Sequence, residues 1–191
     1  DWLIVKLNTK CFADSDSQKQ FLISKGIAKQ DDILVLGSGS LAGIDLSKFN
    51  DESYKNVDRD QLREEFGISK HSLVFLCLGR ITNDKGIREL LSAFGRIDQD
   101  IHKAELLIVG PIDKNFNGFD KITNGSIDGI HYFGFTSSPE KFMYMADVFC
   151  LPSYREGFGT VILEAAAMGR PSIGTNIYGL TDAIIDKKTG V

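Results

Sequence analysis

Short apolar runs alternate with stretches of helical periodicity along most of the chain. The runs LVFLCL (73–78), ELLIV (105–109), HYF (131–133) and VFCL (148–151) are rich in β-branched and aromatic side chains and bounded by turn-forming residues, which predicts strands. Between them the periodicity predicts helices over about 58–66, 86–97, 139–146 and 160–169, with a last helix from about Leu180. Residues 115–129 read as an irregular, glycine-spaced section. Apolar strands that alternate with helices belong to a parallel sheet covered on both faces. The fold class is therefore α/β, a Rossmann-like open parallel sheet with helices on both sides.

The first residues do not make a domain by themselves. Residues 1–36 read as a short helix or strand, a turn at Asp14-Ser-Asp-Ser17, a helix near 18–25 and a strand at 33–36. Gly37-Ser-Gly-Ser-Leu-Ala-Gly43 follows that strand as a dinucleotide-binding loop would. Its spacing is G-x-G-x-x-x-G, however, and no helical pattern comes after it, so it reads as a flexible connector and places a boundary over 37–50. The opening on Asp1 and a strand-like start at the last residues suggest an excised portion of a longer protein.

Composition narrows the function classes. The chain has 191 residues and 42% hydrophobic content, enough for a packed core. A net charge of -4 argues against broad nucleic-acid binding, which calls for a clustered basic excess. Cys11, Cys77 and Cys150 are far apart and read as buried free thiols of a reducing compartment, hence the cytoplasm. His71, His102 and His131 lack partners at metal-site spacing, so no histidine metal site is expected. No apolar run reaches the length of a membrane span.

In an open parallel sheet the ligand sits beyond the carboxyl ends of the strands, which selects four loops: 79–86, Gly110-Pro111, Gly134-Phe135 and 152–159. In the first, Arg80 and Lys85 can converge on an anion, or can be ordinary solvated surface cations. Lys85 precedes Gly86 and no Ser or Thr follows, so this is not the phosphate loop of an ATPase or GTPase. In the last, Gly157 and Gly159 allow close backbone approach, and Thr160 is a candidate cap for the helix that follows. The exposed helix start offers N–H groups to an anion. Glu164 leans back toward the same edge and Glu156 enters from the loop, so both carboxylates can face one pocket. The alternative makes Glu164 a dipole-favourable residue and Glu156 a solvated loop charge. Asp14-Ser-Asp16 and Asp98-Gln-Asp100 lie outside the selected loops and read as caps and surface turns. Ser153 and Cys150 have no nearby histidine and no nucleophile-elbow pattern, so neither is expected to be a nucleophile.

Pro152-Ser153, Glu156-Gly-Phe-Gly-Thr160, Glu164-Ala-Ala-Ala-Met-Gly169 and Pro171-Ser-Ile-Gly-Thr175 occur in this order, with Gly79-Arg80, Lys85-Gly86 and the run from Gly43 to Phe49 upstream. The combination resembles the retaining glycosyltransferases of family four, which have the GT-B architecture of two facing Rossmann-like domains. The resemblance implies that residues 51–191 are the nucleotide-sugar donor domain, truncated at its C-terminus, and that residues 1–36 end an acceptor-side domain that is mostly absent. It implies Glu156 as the catalytic residue, on hydroxyls of the transferred sugar. It also implies donor contacts from Arg80 and Lys85 on the diphosphate, from Gly157, Phe158, Gly159 and Thr160 on phosphate and sugar, from Glu164 on the ribose and from Phe135 on the base. The nucleotide sugar is a substrate, and neither a metal nor another cofactor is expected. Ala42 stands where many relatives have Asn. That departure resembles a branch associated with bacterial surface polysaccharide, which implies a UDP-sugar donor and a saccharide or lipid-linked acceptor. Work at the inner face of the membrane, through peripheral contact of the absent domain, would follow. The competing readings are a sugar-nucleotide epimerase of the same architecture and a non-catalytic nucleotide-binding module.

Overall fold

The computed structural model describes residues 2–97, 103–116 and 128–191. The Asp98–Asp100 pattern, His102 and most of the irregular section over 115–129 lie outside the described residues. In chain order the elements are α1 (Trp2–Leu7), β1 (Cys11–Ala13), α2 (Asp16–Ser24), β2 (Ile33–Val35), a 3-10 turn (Asp51–Tyr54), α3 (Arg59–Glu65) and β3 (Leu73–Leu78). A second 3-10 turn (Asn83–Lys85) leads to α4 (Ile87–Phe94), β4 (Ala104–Val109), β5 (Ile130–Phe133), α5 (Pro139–Met145) and β6 (Val148–Leu151). The chain continues through α6 (Thr160–Ala167), β7 (Ser172–Gly174) and α7 (Leu180–Ala183).

Five strands form one parallel sheet in the order β5-β4-β3-β6-β7, an α/β Rossmann-like layer. Alternate residues of each strand serve opposite faces, because the side-chain period of a strand is two. Val74, Leu76, Leu107, Val109, Phe149 and Leu151 pack with Phe142, Met143 and Met145 of α5, and with α6 and α7, on one face. Cys77, Leu106 and Ile108 pack with Ile87, Leu91 and Phe94 of α4 on the other. β4 has neighbours on both edges and is buried at all six positions. That burial explains the apolar run from Leu106 to Val109.

β1 and β2 pair parallel in a separate two-stranded sheet. This sheet and α2 meet the larger unit around 176–182. The Ser17 hydroxyl donates to the Asp182 carboxylate and accepts the Gly179 N–H at 2.7 Å. The Phe21 and Tyr178 rings stack with centroids 4.5 Å apart.

Three local expectations are corrected. The turn expected over 14–17 is the start of α2, with Ser15 as N-cap accepting the Gln18 N–H at 3.1 Å. The short helix or strand expected before residue 14 is both, α1 and then β1, and β7 is a strand that the apolar pattern did not show; three residues carry no readable period, and pairing with β2 and β6 defines these two strands. Cys11 is only partly buried, because it lies on the small sheet rather than in the main core.

The register between β3 and β6 is set just before β6 begins. The Asp147 N–H donates to the Val74 carbonyl at 2.8 Å, and the Asp147 carboxylate accepts the Val74 N–H at 2.8 Å. The same carboxylate takes Arg59 at 2.7 Å and Arg63 at 2.8 Å. Both guanidiniums also cap the end of α5: Arg59 donates to the Tyr144 carbonyl at 2.8 Å and Arg63 to Met145 at 2.8 Å. These are carbonyls that a helix terminus leaves unpaired. Asp58 starts α3 by accepting the Asp60 and Gln61 N–H groups, which aims both arginines at this cluster.

Burial pushes the Asp147 carboxyl up, but the Val74 N–H and the two guanidiniums outweigh it and hold the group below its ordinary 3.8. A depressed folded-state value contributes stability that is complete above 3.8 and is lost as pH falls through the lower folded value. Asp147→Asn should therefore lose stability at neutral pH, with the deficit against wild type shrinking below about pH 4. Asp147→Ala strands the buried Arg63 and should cost about 3 kcal/mol in urea unfolding, at the low end for breaking a buried pair because the carboxylate is partly solvated.

Candidate active site

Parallel strands bring their carboxyl ends to one edge, and pairing of β3 with β6 sets the loops that follow these two strands side by side. The second loop lies against the first at Gly86. This residue has φ +67, and a Cβ there would stand 2.0 Å from the Pro152 carbonyl oxygen. The Tyr154 N–H donates to the Asp84 carbonyl at 2.8 Å, and the Tyr154 hydroxyl to Glu89 at 2.8 Å. Between the loops lies a cleft of about 540 Å³.

Lys85 and Glu156, 71 residues apart in sequence, meet across it with Nζ 2.5 Å from Oε1. The Ser153 hydroxyl donates to the same oxygen at 2.8 Å. Arg80 lines the cleft with an exposed side chain. Gly157, Phe158, Gly159 and Thr160 form the wall that leads into α6, and Glu164 lines the cleft one turn further on. The expected cap differs: Gly159, at φ +77, is the N-cap, and Thr160 is the first helical residue with no capping bond from its side chain. A left-handed residue suits glycine, and it leaves the first N–H groups of α6 free of a side-chain cap. Those groups and the helix dipole favour an anion.

Burial pushes the Glu164 carboxyl above its ordinary 4.5, partly offset by the Lys48 ammonium. Cys77 also borders the cleft, but burial pushes its thiol up to about 12, as it does that of Cys150. Neither is a thiolate nucleophile at neutral pH. Among the described residues no group of three or more His, Cys, Asp and Glu is placed to hold a metal ion, and no helix is long and apolar enough to cross a membrane.

Phe135 is not brought into this cleft. It is 82% exposed and borders a separate depression beside β5, with Phe66, Lys141 and Phe142. Asp14 goes the other way: expected to be part of a surface turn, it lines the cleft, where a Cβ on Gly157 would stand 2.5 Å from its Oδ2. No local signal marks Asp14, because its place follows from how the small sheet packs on the larger one. Ser153, read from the sequence only as a nucleophile candidate, is a site residue that the sequence reading missed. Lys48, on the connector, is held by Glu140 at 3.6 Å and acts on Glu164 only through its charge.

The fold and this cleft define an α/β domain of the kind that forms the donor-binding half of a GT-B glycosyltransferase. Residues 58–191 match the glycosyl transferases group 1 family, and the chain belongs to it. Group 1 replaces the family-four assignment drawn from the motifs, and the retention of configuration carried over with that assignment is dropped. The chain is 32% identical over 205 residues to the capsular polysaccharide biosynthesis glycosyltransferase CapM of Staphylococcus aureus, covering 99% of this chain and 50% of that protein. It spans half or less of the length of the curated relatives CapM and N-acetyl-alpha-D-glucosaminyl L-malate synthase of Bacillus anthracis. Among solved structures, a glycosyltransferase from Rickettsia africae ESF-5 superposes with a TM-score of 0.80 at 25% identity, over 95% of this chain and 48% of that one. Anabaena Alr3699/HepE in complex with UDP-glucose gives 0.78 at 19% identity, over 96% and 49%, a likeness of fold.

Two measurements check this geometry. Gly86→Ala should lower the thermal midpoint by several degrees, since the methyl group meets backbone and the residue keeps a left-handed conformation. Glu164→Gln should raise the midpoint at pH 7. An acid whose folded value is raised costs stability above its unfolded value, here about 4.5, and that gain should vanish below it.

Proposed function

We propose that this chain supplies the donor site of an enzyme that transfers a sugar from a UDP-sugar to a saccharide or lipid-linked acceptor in surface-polysaccharide assembly. The carrying observation is the meeting of Lys85 and Glu156 at the free start of α6, in a chain of this family. The polysaccharide context named for the S. aureus relative and the UDP-glucose in the Anabaena structure support the choice of acceptor and donor.

In this reading residues 51–191 are the donor domain, 37–50 the connector and 1–36 the end of the acceptor-side domain. The proposed place of work is the cytoplasm at the inner face of the membrane, reached by peripheral contact. In the reaction the bond from the anomeric carbon to the diphosphate breaks and UDP leaves with the electron pair. The acceptor oxygen bonds to that carbon and gives up its proton. Negative charge grows on the diphosphate, where Arg80, Lys85 and the first N–H groups of α6 stabilise it. Positive character grows on the sugar, whose hydroxyls Glu156 holds. Glu164 receives the ribose hydroxyls, and Phe135 contacts the base at the edge beyond the cleft. Glu156 is the residue assigned to catalysis; Gly157, Phe158, Gly159 and Thr160 shape the phosphate and sugar wall.

Titration calorimetry with UDP and no added metal tests the reading. Binding should be weakened about tenfold or more by Arg80→Ala and by Lys85→Ala, the loss typical of a charge-assisted hydrogen bond. No heat with UDP, GDP or ADP at millimolar concentrations would sink it. In the intact enzyme Glu156→Gln should lower turnover by roughly 10²-fold, and an unchanged rate would remove Glu156 from the chemistry.

A further inference from the structure

The sugar-binding role of Glu156 depends on which carboxylate oxygen is left for the ligand. Among the described residues both hydrogen bonds that hold the group end on Oε1, from Lys85 at 2.5 Å and from Ser153 at 2.8 Å. The two donors differ in what they can do once a nucleotide arrives. Lys85 is a long cation at the mouth of an anion site, and a diphosphate competes with Glu156 for its ammonium.

Ser153 has no such freedom. It is fully buried, and the loop around it is braced from both sides. Its carbonyl accepts the Thr175 hydroxyl from beyond β7, while the next N–H is bound to Asp84 in the loop after β3. Pro152, just before it, sits against Gly86. A hydroxyl on such a frame cannot follow a carboxylate that swings away.

We infer that Ser153 is a positioning residue: its hydroxyl holds Oε1 of Glu156, so that Oε2 stays turned to the sugar hydroxyls when Lys85 engages the diphosphate. The inference rests on the donor-site reading above and adds a residue and a division of labour to it. Lys85 answers to the phosphate, and Ser153 keeps the carboxylate in place.

The test is a double-mutant cycle read by calorimetry on this chain, with UDP, UDP-glucose, UDP-galactose and UDP-N-acetylglucosamine as probes. The quantity is the sugar increment, the ratio of the Kd for UDP to that for the tightest UDP-sugar. Ser153→Ala should cut the increment about tenfold, or to one if it is smaller than that, as loss of a hydrogen bond to a charged group does. The Kd for UDP should stay within about twofold of wild type, and Ser153→Thr, which keeps the hydroxyl, should restore most of the increment. In a Glu156→Gln background Ser153→Ala should change nothing further.

An unchanged increment in Ser153→Ala overturns the inference, as does an undiminished effect in the Glu156→Gln background. Parallel loss of UDP binding and thermal stability marks a purely structural serine and overturns it too. Should the alanine variant fail to fold, Ser153→Cys keeps the volume while weakening the donor, and the same comparison is made with it. A wild-type chain that binds UDP with no sugar increment overturns the role of Ser153 and leaves the nucleotide site standing. A chain that binds no UDP removes the donor-site reading itself.

Discussion

Asp147 fixes β6 against β3, and the geometry of the cleft follows from that register. Its backbone and its carboxylate both bond to Val74, while Arg59 and Arg63 neutralise the carboxylate and hold the end of α5 beside it. A slip of one residue would turn every side chain of β6 to the other face, taking Phe149 and Leu151 out of the core. The amino end of β6 is thus anchored by a charge cluster. The loop at its carboxyl end inherits a fixed position opposite the loop after β3.

At that other end charge serves a different purpose. The Arg59, Arg63 and Asp147 cluster satisfies its own carbonyls and amides and leaves nothing for a ligand. Around the cleft, Lys85 and Glu156 are paired with each other but face an open volume, Arg80 is solvated and Glu164 lies half-buried with its carboxyl pushed up. Burial of the Glu164 carboxyl carries an electrostatic cost that a ligand of suitable hydroxyl pattern can relieve. Clusters of this type are where functional sites concentrate, whereas the clamp at Asp147 is structural.

The small N-terminal sheet adds a second wall. Ser17 bonds to Asp182 and Gly179, and Phe21 stacks on Tyr178, which carries Asp14 to the side of Gly157. The cleft is therefore built from two units. A substitution in α2 can alter a site whose sequence-predicted contact residues all lie beyond residue 79.

Much of the fold could be read directly from the residues. The apolar runs at 73–78 and 148–151 coincide with strands, because buried parallel strands need apolar side chains on both faces. The loops after them were selected by a rule about parallel sheets alone. From there Arg80, Lys85, Glu156, Glu164 and the Gly157–Thr160 wall could be named, and the structure gathers them in one cleft. The sequence by itself determined the α/β alternation, the edge at which the selected loops gather and most of the residues that line the cleft there, since these depend on side-chain type and local period. Only tertiary structure decided the rest. It paired Lys85 with Glu156 across 71 positions and brought Asp14 in while leaving Phe135 outside. It also made strands of Cys11–Ala13 and Ser172–Gly174, and it turned Ser153 from a rejected nucleophile into the partner of Glu156. Each of these depends on strand order and on contacts between residues distant in sequence, for which the chain carries no local periodic signal.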